Sequence, residues 1–326
     1  SSAASDVYKR QHLVSEAIVD WSKIHVTIRS NDVHNQLRMA SFRKPIYCFR
    51  IINKRMADRI AMPGSCDRSR RAAVARSISP SFKSAVTGFF GTRSPDEEQA
   101  LGSHSAYVAA LRAHGTEVTV LPGLEEHPDC CFTEDTAVIV GDTAVIPNMG
   151  HASREGEQEA VVDHLSERYE IVRMPKGMKL DGGDVVFYDE SYLIGISTRT
   201  SREGAEFLSS RVKQAGYNTE LIPVPSSTLH LTTVMSSPRP GTIIAAEGHF
   251  TESQLGPLAE ELLWVPNSET YAANTIGYPD DKAIISAGFP VTREVMLDAG
   301  FSITSVDMDA IMQADGSLTC LSVFTE

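Results

Sequence analysis

The chain has no apolar run approaching the ~20 residues that a membrane-spanning helix requires. Its five cysteines (Cys48, Cys66, Cys130, Cys131, Cys320) are odd in number, two are adjacent, and none stands in C-x-x-C spacing. That pattern argues against a disulfide framework and a zinc site, and a reducing compartment is the simplest inference. Positive charge is in short supply: 30 Lys+Arg against 42 Asp+Glu leave a net charge of −12, which argues against general nucleic-acid binding. No lipidation motif or clean secretory apolar core is visible. What remains is an ordinary globular composition, 42% hydrophobic over 326 residues, enough for one large or two average domains.

The charge is unevenly spread. Residues 1–78 hold 15 basic and 6 acidic residues, a balance of +9, whereas the remainder holds 15 and 36, a balance of −21. The first 71 residues show no sustained helical or strand period. Three readings compete for them: a targeting leader, since transit peptides are basic, Ser-containing and acid-poor; a disordered arm; or upstream sequence with no biological role, with Met39, Met56 and Met62 as candidate starts. The last is favoured. The expected division is therefore a basic extension over 1–71, poorly ordered, and a folded catalytic domain over 72–326.

From residue 72 a unit recurs. Ala72 to Arg76 reads as a strand, Asp96 to His114 as a helix opened by Asp96, Glu97 and Glu98, and Thr116 to Leu121 as a strand. Thr136 to Pro147 is an apolar hairpin turning at Gly141-Asp142, followed by a helix over Ser153 to Arg168 with Ser153 as its cap and a strand over Tyr169 to Arg173. Val185 to Ile196 repeats the hairpin around Asp189-Glu190, Ser201 to Ala215 the helix, and Thr219 to Val224 the strand. A weaker copy runs through Thr242 to Glu247, a helix over Ser253 to Leu263, and Trp264-Val265. Ala273 to Ala287, turning at Asp280-Asp281, then Val291 to Ala299 and Ser302 to Val306, make a further copy, and Leu318 to Phe324 closes the chain as a strand. Such repetition favours a closed or stacked array over a plain α/β sandwich.

Several residues bear chemistry. Cys320 follows an Asp-Gly turn in an apolar stretch; a lone Cys there is more often inert core than a nucleophile. His230, alternating with Leu229 and Leu231, is more often a satisfied buried histidine than a proton shuttle. Asp181-Gly182-Gly183-Asp184 suits a turn for conformational reasons alone. The segment His127 to Asp135 is more specific. Asp129, Glu134 and Asp135 crowd a stretch that leads into a buried hairpin, and a guanidinium or ammonium ligand would relieve their repulsion. A metal is the rival, but no His-x-x-x-His or Ca²⁺-loop spacing supports one. Arg154 and Arg199 are candidates for gripping a carboxylate.

Taken in order, these segments resemble the dimethylarginine dimethylaminohydrolases of the guanidino-group-modifying superfamily. The stretches are His127-Pro128-Asp129 with Phe132 to Thr136, Ala152 to Glu157, Leu180 to Val185, Ser197 to Thr200, Leu229-His230-Leu231, Tyr271-Ala272-Ala273-Asn274, Ala287 to Pro290 and Asp315 to Ser322. The resemblance implies a five-bladed α/β-propeller, the pentein fold, and a hydrolase releasing citrulline and dimethylamine or methylamine from Nω-methylated arginines. Cys320 matches the nucleophile, His230 the general acid/base and Asp181 its carboxylate partner. Asp129 and Asp135 match guanidinium-binding positions with Glu134 beside them. Arg154 and Arg199 match residues that hold the substrate's α-carboxylate, and the backbone at Ala314-Asp315 matches a contact to its α-amino end. Val86 to Arg93 corresponds to a mobile lid.

One departure stands out. Ile146-Pro147-Asn148-Met149-Gly150-His151 replaces a Thr-Arg-Pro-Gly type of run, and Glu155 replaces a second Arg. The expected partner is a small-molecule methylarginine, with no nucleic acid, no membrane, no cofactor and no metal. A homodimer is left open, and the cytoplasm is the expected location, with organellar targeting by the extension open too. The rivals are arginine deimination or amidino transfer, and a non-catalytic methylarginine binder.

Overall fold

A computed structural model describes residues 69–188 and 191–325. The extension expected to be poorly ordered lies outside these residues up to position 68, as do Cys48, Cys66 and the expected turn at Asp189-Glu190. Residues 69–71 pack on the domain: Arg70 donates from Nε to the Gly277 carbonyl (2.7 Å) and lies over the Phe324 ring.

Strand β1 (Ala72–Arg76), helix α1 (Glu97–Ala113) and β2 (Glu117–Leu121) open the fold. Asp96 caps α1 by accepting from the Gln99 N–H, and Ala100, Tyr107, Val108 and Leu111 form its buried stripe. Next come β3 (Val138–Val140), β4 (Thr143–Ile146), α2 (Glu159–Ser166) and β5 (Glu170–Arg173), then β6 (Val185–Tyr188), β7 (Ser191–Ile196), α3 (Arg202–Gln214) and β8 (Asn218–Pro223). The one-turn helix α4 (Leu231–Val234) leads to β9 (Met235–Arg239), β10 (Thr242–Ala246), α5 (Glu252–Leu255) and β11 (Glu261–Val265). The last unit is β12 (Ile276–Tyr278), β13 (Lys282–Ser286), α6 (Pro290–Asp298) and β14 (Ser302–Val306), after which α7 (Asp309–Met312) precedes β15 (Ser322–Phe324).

These strands form five three-stranded sheets among the described residues. In four of them the first strand pairs antiparallel with the second, and the second pairs parallel with the third across a helical crossover. In the remaining sheet the inner position is filled from the far end of the chain. β15 pairs antiparallel with β1 in the register Ala73↔Phe324, Val74↔Val323 and Ala75↔Ser322, and β1 pairs parallel with β2. Inner strands meet across sheets, β9 against β6 and β12, and β15 against β3. The repeating unit expected from the sequence is thus a five-bladed α/β-propeller closed by its last strand. Tyr107 Oη bonds Ser322 Oγ at 2.7 Å, which ties β15 to α1.

Two expected helices differ in extent, and one strand went unread in the sequence. The helix expected from Ser153 begins at Glu159, because Gly156 takes φ +98 and the preceding turn, Ala152–Arg154, rolls the Arg154 side chain inward. The helix expected over Ser253 to Leu263 stops at Leu255, and Glu261 to Leu263 belong to β11, paired with β10. Strand β9 was masked by its polar residues and Pro238. Its serines are satisfied by the carbonyls of Ala273 (Ser236 Oγ, 2.7 Å) and Thr242 (Ser237 Oγ, 2.9 Å).

Candidate active site

One cavity of about 40 Å³ is lined by Val86, Asp129, Phe132, Asp135, Arg154, Arg199, Leu229, His230, Ala314, Asp315, Gly316 and Cys320. Every expected site residue except Asp181 and Glu134 lines it, and those two stand directly behind it.

Cys320 does not lie on a strand as expected. It occupies a single 3₁₀ turn, Thr319–Leu321, whose exit leads into β15. His230 is likewise off any strand: it is the extended residue before α4, with φ −138 and ψ 167. Its backbone N–H donates to Thr233 Oγ1 (3.0 Å). Each chemical group thus sits in or just before a one-turn helix that leads into an inner strand, β9 for His230 and β15 for Cys320.

His230 Nε2 and Asp181 Oδ2 are 3.0 Å apart. Asp181 also accepts from the Gly150 N–H (2.6 Å), and Arg199 Nη1 approaches it at 3.6 Å. Burial works against the ionised carboxylate, but the bond to His230 holds the Asp181 carboxyl below its usual range. Burial also works against the imidazolium, yet Asp135, Asp181 and Asp184 outweigh it and raise the His230 pKa to about 9. His230 is therefore charged at neutral pH. Asp184, buried, accepts from Ser197 Oγ (2.6 Å), Thr200 Oγ1 (2.6 Å) and the Leu231 N–H (2.9 Å). It anchors the residue next to His230, a task that its place in the Asp-Gly-Gly-Asp run alone did not disclose.

The two glycines of that run serve close approach rather than an unusual backbone angle. A Cβ on Gly182 would stand 2.0 Å from the Glu134 carbonyl oxygen, and one on Gly183 would stand 2.8 Å from His230 Nδ1. The Gly183 N–H donates to Asp135 Oδ1 (2.9 Å). The acidic segment, the glycine pair and the histidine are thereby packed into one layer.

Arg154 lines the cavity, but its guanidinium is already engaged. It donates to Asp135 Oδ2 (2.5 Å), Glu157 Oε2 (2.7 Å from Nη2, 3.0 Å from Nε) and the Phe132 carbonyl (2.9 Å). Arg199 is the more available cation, with its side chain 17% exposed. Glu157, three residues after Arg154, pairs with it in the interior, and nothing in the sequence distinguished it from a surface acid.

Glu134 is half-buried beside Cys320. Burial and then Asp135 raise its pKa to about 8, although Thr319 Oγ1 donates to its Oε2 at 3.0 Å. Cys320 is half-buried in the cavity wall. Desolvation there, followed by Glu134 and Asp135, pushes its thiol pKa well above the ordinary range. Burial also raises the pKa of Asp129, against the pull of Arg154. The raised pKa values of Asp129, Glu134 and Cys320 thus mark a site in which a bound cation would favour their ionised forms.

Over the cavity, Val86 donates to Asp129 (3.1 and 3.3 Å), Phe89, Phe90 and Gly91 donate to the Asp315 carboxylate (2.9, 2.6 and 2.9 Å), and Thr92 and Arg93 to Gln313 Oε1 (3.0 and 3.2 Å). The expected lid is therefore latched from below by three side chains, Asp129, Asp315 and Gln313. Asp135, Asp181 and His230 offer ligand atoms within 4.8 Å of one another. Those atoms already bond one another or Arg154, so the group reads as an ion-pair network.

The family profile described as "N,N dimethylarginine dimethylhydrolase, eukaryotic" matches residues 92–254. The N(G),N(G)-dimethylarginine dimethylaminohydrolase of Streptomyces coelicolor is 30% identical over 256 residues, covering 78% of this chain and 96% of the relative. The Pseudomonas aeruginosa enzyme of the same name is 29% identical over 231 residues, covering 70% and 89%. A crystal structure of the Pseudomonas enzyme, a mutant complexed with citrulline, superimposes with a TM-score of 0.73 at 28% identity, over 78% of this chain and 99% of that one. The propeller seen here is thus the pentein fold, and the chain belongs to the dimethylarginine dimethylaminohydrolase family of hydrolases.

Proposed function

We propose that this protein hydrolyses Nω-methylated arginines to citrulline and dimethylamine or methylamine through a covalent intermediate on Cys320. The observation that carries the reading is the gathering of Cys320, His230 and Asp129 with Asp135 around one cavity, with Asp181 bonded to the histidine behind it. Citrulline bound to the Pseudomonas relative fits citrulline as the product here.

The carboxyl groups receive the cationic guanidinium. With that cation bound and His230 already charged, the Cys320 thiol loses its proton to solvent water as the substrate enters, a loss that burial and the neighbouring carboxyls otherwise resist. The thiolate attacks the guanidinium carbon. His230 donates its proton to the leaving amine as the C–N bond breaks, which leaves a thiouronium ion. The neutral imidazole then takes a proton from water, the resulting hydroxide adds to the same carbon, and the C–S bond breaks as the added hydroxyl loses its proton to solvent, which releases the thiolate and the urea of citrulline. Asp181 holds the imidazole through both steps. Arg199 receives the substrate α-carboxylate, helped by whichever donor Arg154 can spare, and the Ala314-Asp315 backbone takes the α-amino end. No step calls on a metal or cofactor.

The test is turnover of dimethylarginine against arginine, scoring dimethylamine against ammonia. Dimethylamine release with a mass increase on Cys320 during turnover, both lost in Cys320→Ser while the fold is kept, is the expected result. Ammonia from arginine would mark a deiminase, and citrulline formation in Cys320→Ser would end the mechanism.

A further inference from the structure

Two one-turn helices carry the chemistry, and neither is stable by itself, because a helix this short does not repay its nucleation cost. Each also leaves backbone groups without helical partners. The Thr232 carbonyl in α4, two residues past His230, is one of these. The Thr319 N–H at the start of the 3₁₀ turn, one residue before Cys320, is another.

Asn274 meets both. It is fully buried in the segment that enters β12 and does not line the cavity. Its Nδ2 donates to the Thr232 carbonyl (2.9 Å) and to Thr319 Oγ1 (2.9 Å), and its Oδ1 accepts the Thr319 N–H (3.0 Å). The orientation of the amide is forced, since a carbonyl can only accept and an N–H can only donate. Thr319 Oγ1, having accepted from Asn274, donates to Glu134 Oε2 (3.0 Å). A single chain of bonds therefore runs from the histidine's helix through Asn274 to the cysteine's turn and on to the carboxyl beside the thiol. Without the amide, two backbone groups enclosed by protein would lose their partners, and the turn bearing Cys320 could shift independently of the helix bearing His230.

We propose that Asn274, acting with the Thr319 hydroxyl, is a positioning residue that fixes the separation of Cys320 from His230. The inference rests on the reading of those two residues as nucleophile and acid/base. A displacement of about 1 Å at such a pair costs on the order of 100-fold in rate, and neither Asn274 nor Thr319 lines the cavity. The loss should therefore fall on kcat rather than on KM.

The experiment compares Asn274→Asp, Thr319→Val and Thr319→Ser in the full chain, with circular dichroism and thermal midpoints to confirm folding. Asn274→Asp keeps the shape but places a carboxylate against the Thr232 carbonyl. Thr319→Val keeps the bulk and deletes the hydroxyl. Both should lower kcat for dimethylarginine by about 10–100-fold with KM within about threefold, and Thr319→Ser should recover most of that loss. The pH midpoint of Cys320 alkylation by iodoacetamide, which needs no substrate, should move by about half a pH unit or more in Thr319→Val and return in Thr319→Ser. Folded Asn274→Asp and Thr319→Val proteins with wild-type kcat and an unmoved alkylation midpoint would overturn the proposal. So would a Thr319→Ser variant as impaired as Thr319→Val. If the wild-type protein releases no dimethylamine, the proposed function fails by itself, and the alkylation midpoints still decide the role of the bridge.

Discussion

Glu134→Gln isolates an ionisable group whose folded surroundings favour its protonated form. Glu134 has an ordinary pKa of 4.5 and one of about 8 in the folded protein, raised first by burial and then by Asp135. A folded-state pKa above the unfolded one means that the native protein holds this proton more tightly. The resulting stability is fully present below pH 4.5 and drains away as pH climbs through 8. At pH 7 the unfolded chain has released the proton and the folded one has kept it, a difference of about 3 kcal/mol against folding at 1.36 kcal/mol per pH unit. Glutamine has nearly the same shape, can still accept from Thr319 Oγ1, and does not titrate. The variant should therefore equal the wild type in stability near pH 4.5 and exceed it by up to about 3 kcal/mol at pH 7, a rise in thermal midpoint of roughly 5–10 °C for a domain of this size.

The same carboxyl works the other way once a guanidinium is bound, because the cation favours the ionised form. Binding should then release a proton at pH 7, and Glu134→Gln should bind dimethylarginine more weakly while being the more stable protein. Thermal denaturation of both proteins between pH 4.5 and 8.5 is the assay. A stability difference that stays constant across that range, or reverses sign at high pH, refutes the argument, since it would mean that Glu134 is ionised in the native site.

Asp181→Asn should lower the His230 pKa from its value near 9 by about 1–3 pH units, moving the alkaline limb of the kcat profile down by the same amount; a limb that stays in place would remove Asp181 from its role. The raised His230 pKa also adds stability below pH 6.5 that is lost as pH passes 9, so the variant's denaturation curves should depend less on pH in that window. Gly183→Ala places a methyl group 2.8 Å from His230 Nδ1 and should cut kcat by about 100-fold, measured with a thermal midpoint to separate displacement from unfolding. Asp129→Asn should mainly raise KM, because it weakens attraction to a cationic ground state; it should also speed amide hydrogen exchange at Val86, whose N–H Asp129 accepts.

Much of the propeller was legible because its repeats obey local rules. Asp96 and Ser201 announce α1 and α3 with side-chain caps, and both accept the backbone N–H expected of them. Asp280 and Asp281, both at positive φ, turn the β12–β13 hairpin where the two acidic residues suggested. The fourth blade was harder to read, because β9 hides its strand character behind serines whose partners are distant carbonyls, and periodicity carries no trace of such bonds. The site divided in the same way. Residues with distinctive chemistry could be named from the sequence and took their roles from the ordered resemblance, while Asp184, Glu157, Gln313 and Asn274 act through contacts to residues 3 to 221 positions away and carry no local signal. The Arg154 guanidinium shows the opposite failure. A recognisable residue was expected to face the substrate, and its folded partners Asp135 and Glu157 hold most of its donors.

The route by which the thiol reaches the site links fold to chemistry. Cys320 stands two residues before β15, the strand that closes the ring by pairing with β1. Until that pairing forms, the cysteine is far along the chain from the acidic segment and from His230, and nothing local holds it near them. Ring closure, the Tyr107–Ser322 bond and the Asn274–Thr319 bond act on three consecutive stretches around the same sulfur. Assembly of the nucleophile should therefore be as cooperative as the closure of the propeller. Tyr107→Phe removes only a hydroxyl whose partner is on β15, about 1–2 kcal/mol. If closure governs the site, that change should loosen Cys320 in parallel with the strand, so that amide exchange at Val323 and alkylation of Cys320 rise by the same factor. A variant whose strand exchanges faster while its thiol reacts at the wild-type rate would separate the two and show that the turn bearing Cys320 is held by Asn274 alone.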